Sequence, residues 1–394
     1  MGDVLRGRHA QPQSERKSNL RLMDDVSGRI AEKVQALSDI ELAALLCLVA
    51  GQHCIVETEK DLIDGVEQEL QLVCSNVFGL SCAMVDCSET TSSEDFGNGL
   101  LVREDSGSYF ANQPEKFKDD YLSSYSGSPR LSDKRPSRSP GPFSPLDSRR
   151  IANVVIAKNL NETHQQVQIQ ALELIRGRRI FSRTAVHAAP KPFLFIALTS
   201  SESSARLTPH LNDQFFISHR HRVDDGLPNL EESHTQASIS DDEASISSVI
   251  RTSALAMHTS KAPMPIFTRE DIESLIALTT AVRITPEVRA YLHNIVVFMR
   301  LHRAVAGGIS AIATRHFSTL VRALAPLHGL SHVSPSLVAL AARKIYPHRI
   351  RLTMPENERS MQWGSSVEAV RAVLDGITVG DVIEEVLQTV EVPL

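Results

Sequence analysis

His219-Arg220-His221-Arg222 brings two imidazoles within two residues of each other, directly ahead of Asp224 and Asp225. Imidazoles at that spacing could hold an anion or a metal ion. The same residues also read as a solvated strand end that pairs electrostatically with the acidic stretch behind it. Six further histidines, His293, His302, His316, His328, His332 and His348, lie toward the C-terminus without giving H-x-x-x-H on one helical face. They read as helix-surface or half-buried residues, and no metal is expected of them. Cys47, Cys54, Cys74, Cys82 and Cys87 share one early segment with no C-x-x-C spacing. They read as reduced, buried thiols of a cytosolic or nuclear protein, with a zinc site as the alternative. No G-x-S-x-G elbow occurs, so nothing supports nucleophilic catalysis.

A second group of modifiable positions lies in SGSPRLSDKRPSRSPGPFSP. Ser128, Ser139 and Ser144 each precede a proline among basic neighbours, an arrangement suited to proline-directed phosphorylation. Phosphate would swing the local charge from basic toward acidic. The stretch lacks the interleaved aromatics of a nucleic-acid surface. It is also too polar to bury a core of its own. Across 394 residues, 42% are hydrophobic and 22% charged, enough for two modest cores. The net charge of -6 gives no general reason to bind nucleic acid. The polar N-terminus has no apolar signal core, and Arg6 stands where a myristoylation motif wants Ser or Thr. No run of about 18 apolar residues occurs, so no membrane span is expected.

Hydropathy patterning supplies the elements that must hold these groups. Helical spacing runs through Ala31, Val34, Leu37 and Leu42 into ELAALLCLVAG, which stops at Gly51. HCIVET (53–58) and CAMVDC (82–87) are short apolar runs, read as buried strands, with a helix from Lys60 to Val77 between them. After the Ser/Pro-rich insertion come a strand (151–160), a helix (167–179) and another strand (191–200). The order β-α-β, insertion, β-α-β is the pattern of a parallel sheet covered by helices. Residues 223–262 read as an acidic Ser-rich linker. Helices are predicted over 268–281, 285–305, 310–328 and 335–346. Thr268, Thr285 and Ser334 serve as N-caps, and Pro286 and Pro335 stand at first helical positions. An amphipathic tail (366–390) is broken at Gly376. It either packs on these helices or offers an apolar stripe to a partner.

The helical stretch TPEVRAYLHNIVVFMRLHRAVAGGISAIATRHFSTLVRALAPLHGLSHVSPSLVALAARKIYPHRI (285–350) resembles the lid domain of AAA+ ATPases of the MoxR and magnesium-chelatase subunit I branch. The shared features are a Pro-Glu-Val helix start, a Gly-x-Ser turn at Gly308–Ser310, an arginine-bearing Ala/Leu helix, HGL before Val-Ser-Pro, and a closing His348-Arg349. AKNLNETHQQVQIQALELI (157–175) resembles the branch's Walker B region, with Asn161 and Gln168 on the matching Asn and Gln. KPFLFIALTSS (191–201) is similar to its sensor strand, and LNDQFFISHR (211–220) to its Leu-x-Asp-Arg-Phe segment.

The resemblance implies an α/β fold, an AAA+-like parallel sheet with flanking helices, followed by an all-α lid. The expected organisation is a disordered 1–27, a first core half at 28–105 and the insertion at 106–150. A second core half follows at 151–222, then the linker at 223–262, the lid at 263–350 and the tail at 351–394.

ATP hydrolysis on such a fold needs a glycine-rich loop around the phosphates, a Lys on them, and a Ser/Thr on magnesium. No G-x-x-x-x-G-K-[ST] is present. Where the resemblance puts that loop, Thr58-Glu59-Lys60 lacks both glycines, leaving Thr58 and Lys60 as the pocket remnants. Lys158 and Asn159 stand at the Walker B Asp and Glu, beside Asn161. Ser200 stands at the sensor Asn, Gln214 at the Arg of Asp-Arg-Phe, and Ile312 at the second sensor Arg, with Arg315 one turn on. A lysine repels magnesium, and an asparagine cannot take a proton from water. The expectation is a catalytically degenerate module that works as a scaffold or regulatory subunit. It would bind protein partners, including active AAA+ relatives in a ring, and no cofactor is expected. The alternative is a divergent ATPase subunit that binds Mg-ATP.

Overall fold

A computed structural model describes residues 28–103, 149–181, 185–233 and 265–393. Helix α1 (28–35) leads into α2 (Asp39–Ala50), which beyond its acidic first turn is apolar and almost wholly buried. Gly51, with φ 61°, ends α2 in the left-handed region where glycine carries no steric cost. Then follow β1 (Cys54–Thr58), a 3-10 turn, α3 (Ile63–Leu72), β2 (Cys82–Asp86), α4 (Ser93–Gly99) and β3 (Leu101–Arg103). The chain re-enters at β4 (Arg149–Ile151) and runs through β5 (Val154–Lys158), α5 (Gln165–Gly177), β6 (Arg179–Phe181), β7 (Val186–Ala188), β8 (Leu194–Ser200), α6 (Pro209–Asn212), β9 (Ile217–Arg220) and α7 (228–233).

Five strands form one parallel sheet in the order β2-β5-β8-β1-β9. The central strands read as unbroken apolar runs because helices cover both faces. Val154, Ile156, Leu194, Ile196 and Leu198 pack toward α2 and α3. Val155, Ala157, Phe195 and Ala197 pack toward α5. Strand alternation thus decides which carboxyl-end side chain serves which face.

The lid comprises α8 (Arg269–Ala281), α9 (Pro286–Leu301), β10 (Val305–Gly307), α10 (Ala311–Leu327), α11 (Pro335–Ile345) and β11 (Arg351–Leu352). All three predicted caps act as expected: the hydroxyls of Thr268, Thr285 and Ser334 accept from the N–H of Asp271, Val288 and Leu337. The tail splits into α12 (Val367–Leu374) and α13 (Val379–Thr389) around Gly376. Val382, Ile383, Val386 and Leu387 are buried in the core shared with the lid. Arg343 of α11 donates two hydrogen bonds to Glu384 of α13, at 2.6 and 2.9 Å. The packing alternative for the tail is therefore the one realised.

Several expectations need correction. The strand predicted over 151–160 is two strands, because β4 leaves the main sheet to pair antiparallel with β3. The β6–β7 hairpin and α4 were not predicted at all. Residues 223–233, expected to begin the linker, fold back on the core. Asn229 reaches the buried Glu69 and Glu41 carboxylates at 2.7 and 2.8 Å. The three Ser-Pro serines, Ser128, Ser139 and Ser144, lie outside the described residues, as do 1–27 and most of the acidic linker. Among the described residues, no helix is long and apolar enough to cross a membrane.

Candidate functional site

In an open parallel sheet, ligands bind in the crevice outside the carboxyl ends of the strands. Here those ends carry Thr58, Asp86, Lys158, Ser200 and Arg220. Thr58 and Ser200 face each other in register on β1 and β8, and the Ser201 N–H donates to the Thr58 carbonyl at 2.8 Å. Thr58 is buried, whereas Lys60 sits exposed in the 3-10 turn that follows β1, where the resemblance puts a phosphate loop.

Lys158 shares the parity of Val154 and Ile156, so its side chain points to the α3 face. Its ammonium donates to Asp64 at 2.7 Å and to Glu67 at 3.1 Å, and Asp86 lies 3.9 Å away. Asp64 and Glu67 are three apart on α3, which puts them on one helical face. Burial opposes the lysine's charge, but the hydrogen bonds from Lys158 to Asp64 and Glu67 overcome it and hold its pKa well above the ordinary range. Asn159 follows with φ 56°, a left-handed conformation that asparagine tolerates. A charged cluster, complete in itself, thus occupies the end of β5.

Asn161 and Gln168 are structural ties. Asn161 donates to the Ser203 hydroxyl and the Ala205 carbonyl, both at 3.1 Å. Gln168 accepts from the Thr208 N–H at 2.8 Å. Together they pin the loop after β8 to α5.

On the α5 side, a groove of about 1190 Å³ runs between core and lid. Asn161, Ser200, Gln214 and Ile312 all line it, so the structure brings these four predicted positions together. Lys158 is not among its lining residues, so the positions that the resemblance assigned to one nucleotide site are divided between two places. Arg315, one turn beyond Ile312, is exposed. Besides Arg349, six arginines line the groove (Arg176, Arg206, Arg220, Arg300, Arg351 and Arg359) against the carboxylates of Glu57 and Asp213. Of these six, only Arg220, within the His219–Arg222 run, was singled out from sequence.

Asp213 belongs to the core–lid joint. Its carboxylate accepts from the Ser310 hydroxyl at 2.7 Å and lies 3.5 Å from the Arg349 guanidinium. Arg349 is buried and donates to the carbonyls of Phe215, Phe216 and Ile345 and to the Nδ1 of His316. Burial first, then the neighbouring Arg349 and Arg315, pushes the His316 pKa down to about 3. His316 is therefore neutral at pH 7 and able to accept. His348, also read as a surface or half-buried residue, sits in the same joint, its ring 3.2 Å from the Phe215 carbonyl.

His219 and His221 are not a solvated strand end. Both are buried, on the β9 face that α2 and α11 cover. The cysteines are free thiols, buried except for the half-buried Cys82.

A family model described as the AAA lid domain matches residues 297–372. A solved structure of a candidate ATPase from Cytophaga hutchinsonii superposes with a TM-score of 0.61 at 14% identity, covering 96% of this chain and 99% of that one. No curated protein matches. The likeness is one of fold: an AAA+-type α/β core carrying an AAA lid.

Proposed function

We propose that this chain is a catalytically silent AAA+-type module of the MoxR and magnesium-chelatase subunit I kind, which acts by binding protein partners. The observation that carries this reading is the Lys158 cluster. At the strand end where a magnesium-holding carboxylate belongs, the chain supplies its own cation, neutralised by Asp64 and Glu67 at 2.7 and 3.1 Å. A magnesium ion arriving there would meet an ammonium, and a triphosphate would meet carboxylates on the helix that should cradle it.

The binding surface is the core–lid groove. Seven arginines against two carboxylates favour an acidic segment of a partner protein, including one presented by an active AAA+ relative in a mixed ring. The groove's volume also suits the second reading, a divergent ATPase that takes Mg-ATP between core and lid.

Calorimetry with Mg-ATP and a phosphate-release assay on the full chain separate the two. Neither binding nor turnover is expected. Stoichiometric binding together with turnover that Lys60→Ala abolishes would sink the silent-module reading.

A further inference from the structure

We propose that His219, His221 and Asp225 form a binding site for one divalent transition-metal ion of the zinc class, at the β9 edge of the sheet. Each of the three offers a ligand atom, and all these atoms lie within 4.8 Å of one another. His219 and His221 are two apart on an extended strand, so both rings project from one face. Asp225 comes from the turn that follows, its carboxylate 4.0 Å from the His221 Nδ1. This site is independent of the nucleotide question.

Two further observations point to a ligand. Both imidazoles are almost fully buried, at 3% and 4% exposure, yet Nε2 of His219 and Nδ1 of His221 have no hydrogen-bond partner. Buried ring nitrogens are ordinarily satisfied, and a metal ion would satisfy these. Lastly, a cavity of about 120 Å³ lined by His221, Asp225 and Asp39 opens beside the triad and leaves room for a water as fourth ligand.

The donor set decides the metal class. Two nitrogens and a carboxylate suit zinc or cobalt, whereas calcium and magnesium prefer oxygens throughout. The Asp225 oxygen nearest His221, Oδ2, also accepts the Arg222 N–H at 2.8 Å, which orients the carboxylate toward the imidazoles. Lys344 is the opposing charge nearby, and Asp39 and Asp225 offset it. The ligand atoms lie within 4.8 Å of one another, and ligands of a tetrahedral zinc stand about 3.3 Å apart, so binding would draw the triad closer.

The test is a Co²⁺ titration of the full-length chain, followed by visible absorption, with Zn²⁺ competition and Mg²⁺ as the control. Expected is one equivalent with the spectrum of a nitrogen/oxygen tetrahedral site, displaced by zinc and untouched by magnesium. His221→Ala and Asp225→Asn should each weaken binding about 10-fold or more, and Cys74→Ser should leave it unchanged. Asp225→Asn retains an oxygen for the Arg222 N–H, so it stays informative if His221→Ala fails to fold. Zinc should raise the melting temperature of the parent chain and not that of Asp225→Asn. Absence of 1:1 binding, equal affinity in Asp225→Asn, or the intense bands of thiolate ligation would each overturn the proposal.

Discussion

The Arg349 guanidinium lies 3.5 Å from the Asp213 carboxylate across the core–lid joint, with 1% of the arginine side chain exposed. Asp213 also receives the Ser310 hydroxyl from the start of α10, so one carboxylate ties two parts of the lid to the core. Burial lowers the Arg349 pKa to about 10, which still leaves it charged at neutral pH. A charge in that position holds only because carbonyls, His316 and Asp213 surround it.

Arg349→Ala should therefore cost about 3–5 kcal/mol, because it leaves Asp213 without its counter-charge and several carbonyls without a donor. Urea denaturation measures it. A loss below about 1 kcal/mol would mean that water replaces the guanidinium at no cost.

Gly308→Ala should be worse tolerated than any surface change. Gly308 has φ 106°, and an added Cβ would lie 1.8 Å from the Arg349 carbonyl oxygen. Backbone cannot give way as a side-chain tip can, so the β10–α10 turn must move. The expected outcome is loss of soluble expression, or a melting temperature lower by about 10 °C or more, from a destabilisation of several kcal/mol. Gly364→Ala, also at positive φ but with open space around its Cβ position, is the matched control and should cost far less.

Lys158→Asp tests the charge cluster. It would restore the residue type that magnesium chemistry wants while setting a fourth carboxylate beside Asp64, Glu67 and Asp86. The expected result is a destabilisation of about 1–3 kcal/mol with no ATP turnover. Lys158→Met, which removes the charge and keeps the length, should cost less than the aspartate. The reverse order in thermal unfolding would show that the carboxylates do not constrain this position.

Acid sensitivity follows from His53, which is buried and accepts the Phe195 N–H on Nδ1 at 3.0 Å. Burial, then Arg178, lowers its pKa from 6.5 to about 3. The unfolded chain takes up a proton near pH 6.5 and the folded chain does not. Stability from this group is therefore complete above about pH 6.5 and falls progressively down to about pH 3. His53→Asn keeps an acceptor for Phe195 without a titrating ring. Its melting temperature should fall less steeply than the parent's between pH 6.5 and 4.5, and an unchanged slope would assign the acid loss to other groups.

How far the sequence was readable tracks the range of the signal. The α9, α10 and α11 helices were legible because caps, prolines and apolar spacing are local. Four of the five sheet strands, β1, β2, β5 and β8, were legible as apolar runs, whereas β9 was read only as a solvated strand end. The β3–β4 and β6–β7 hairpins were not, since three-residue strands carry no periodicity. Lys158 was noticed as a departure, but its partners were not, because Asp64 and Glu67 are 94 and 91 residues away. Their three-residue spacing on α3 was the available clue. His219 and His221 read as exposed because nothing local reveals that α2 and α11 cover the edge strand.

The Lys158 ammonium differs from any dissolved ion in one respect: it cannot leave. Tethered to β5, its effective concentration beside Asp64 and Glu67 does not follow metabolite levels. An ATPase site cycles because its occupant comes and goes, and each exchange moves the lid. On the proposed silent-module reading, a permanent occupant leaves no such clock, and in a mixed ring this subunit would hold one posture while its neighbours step.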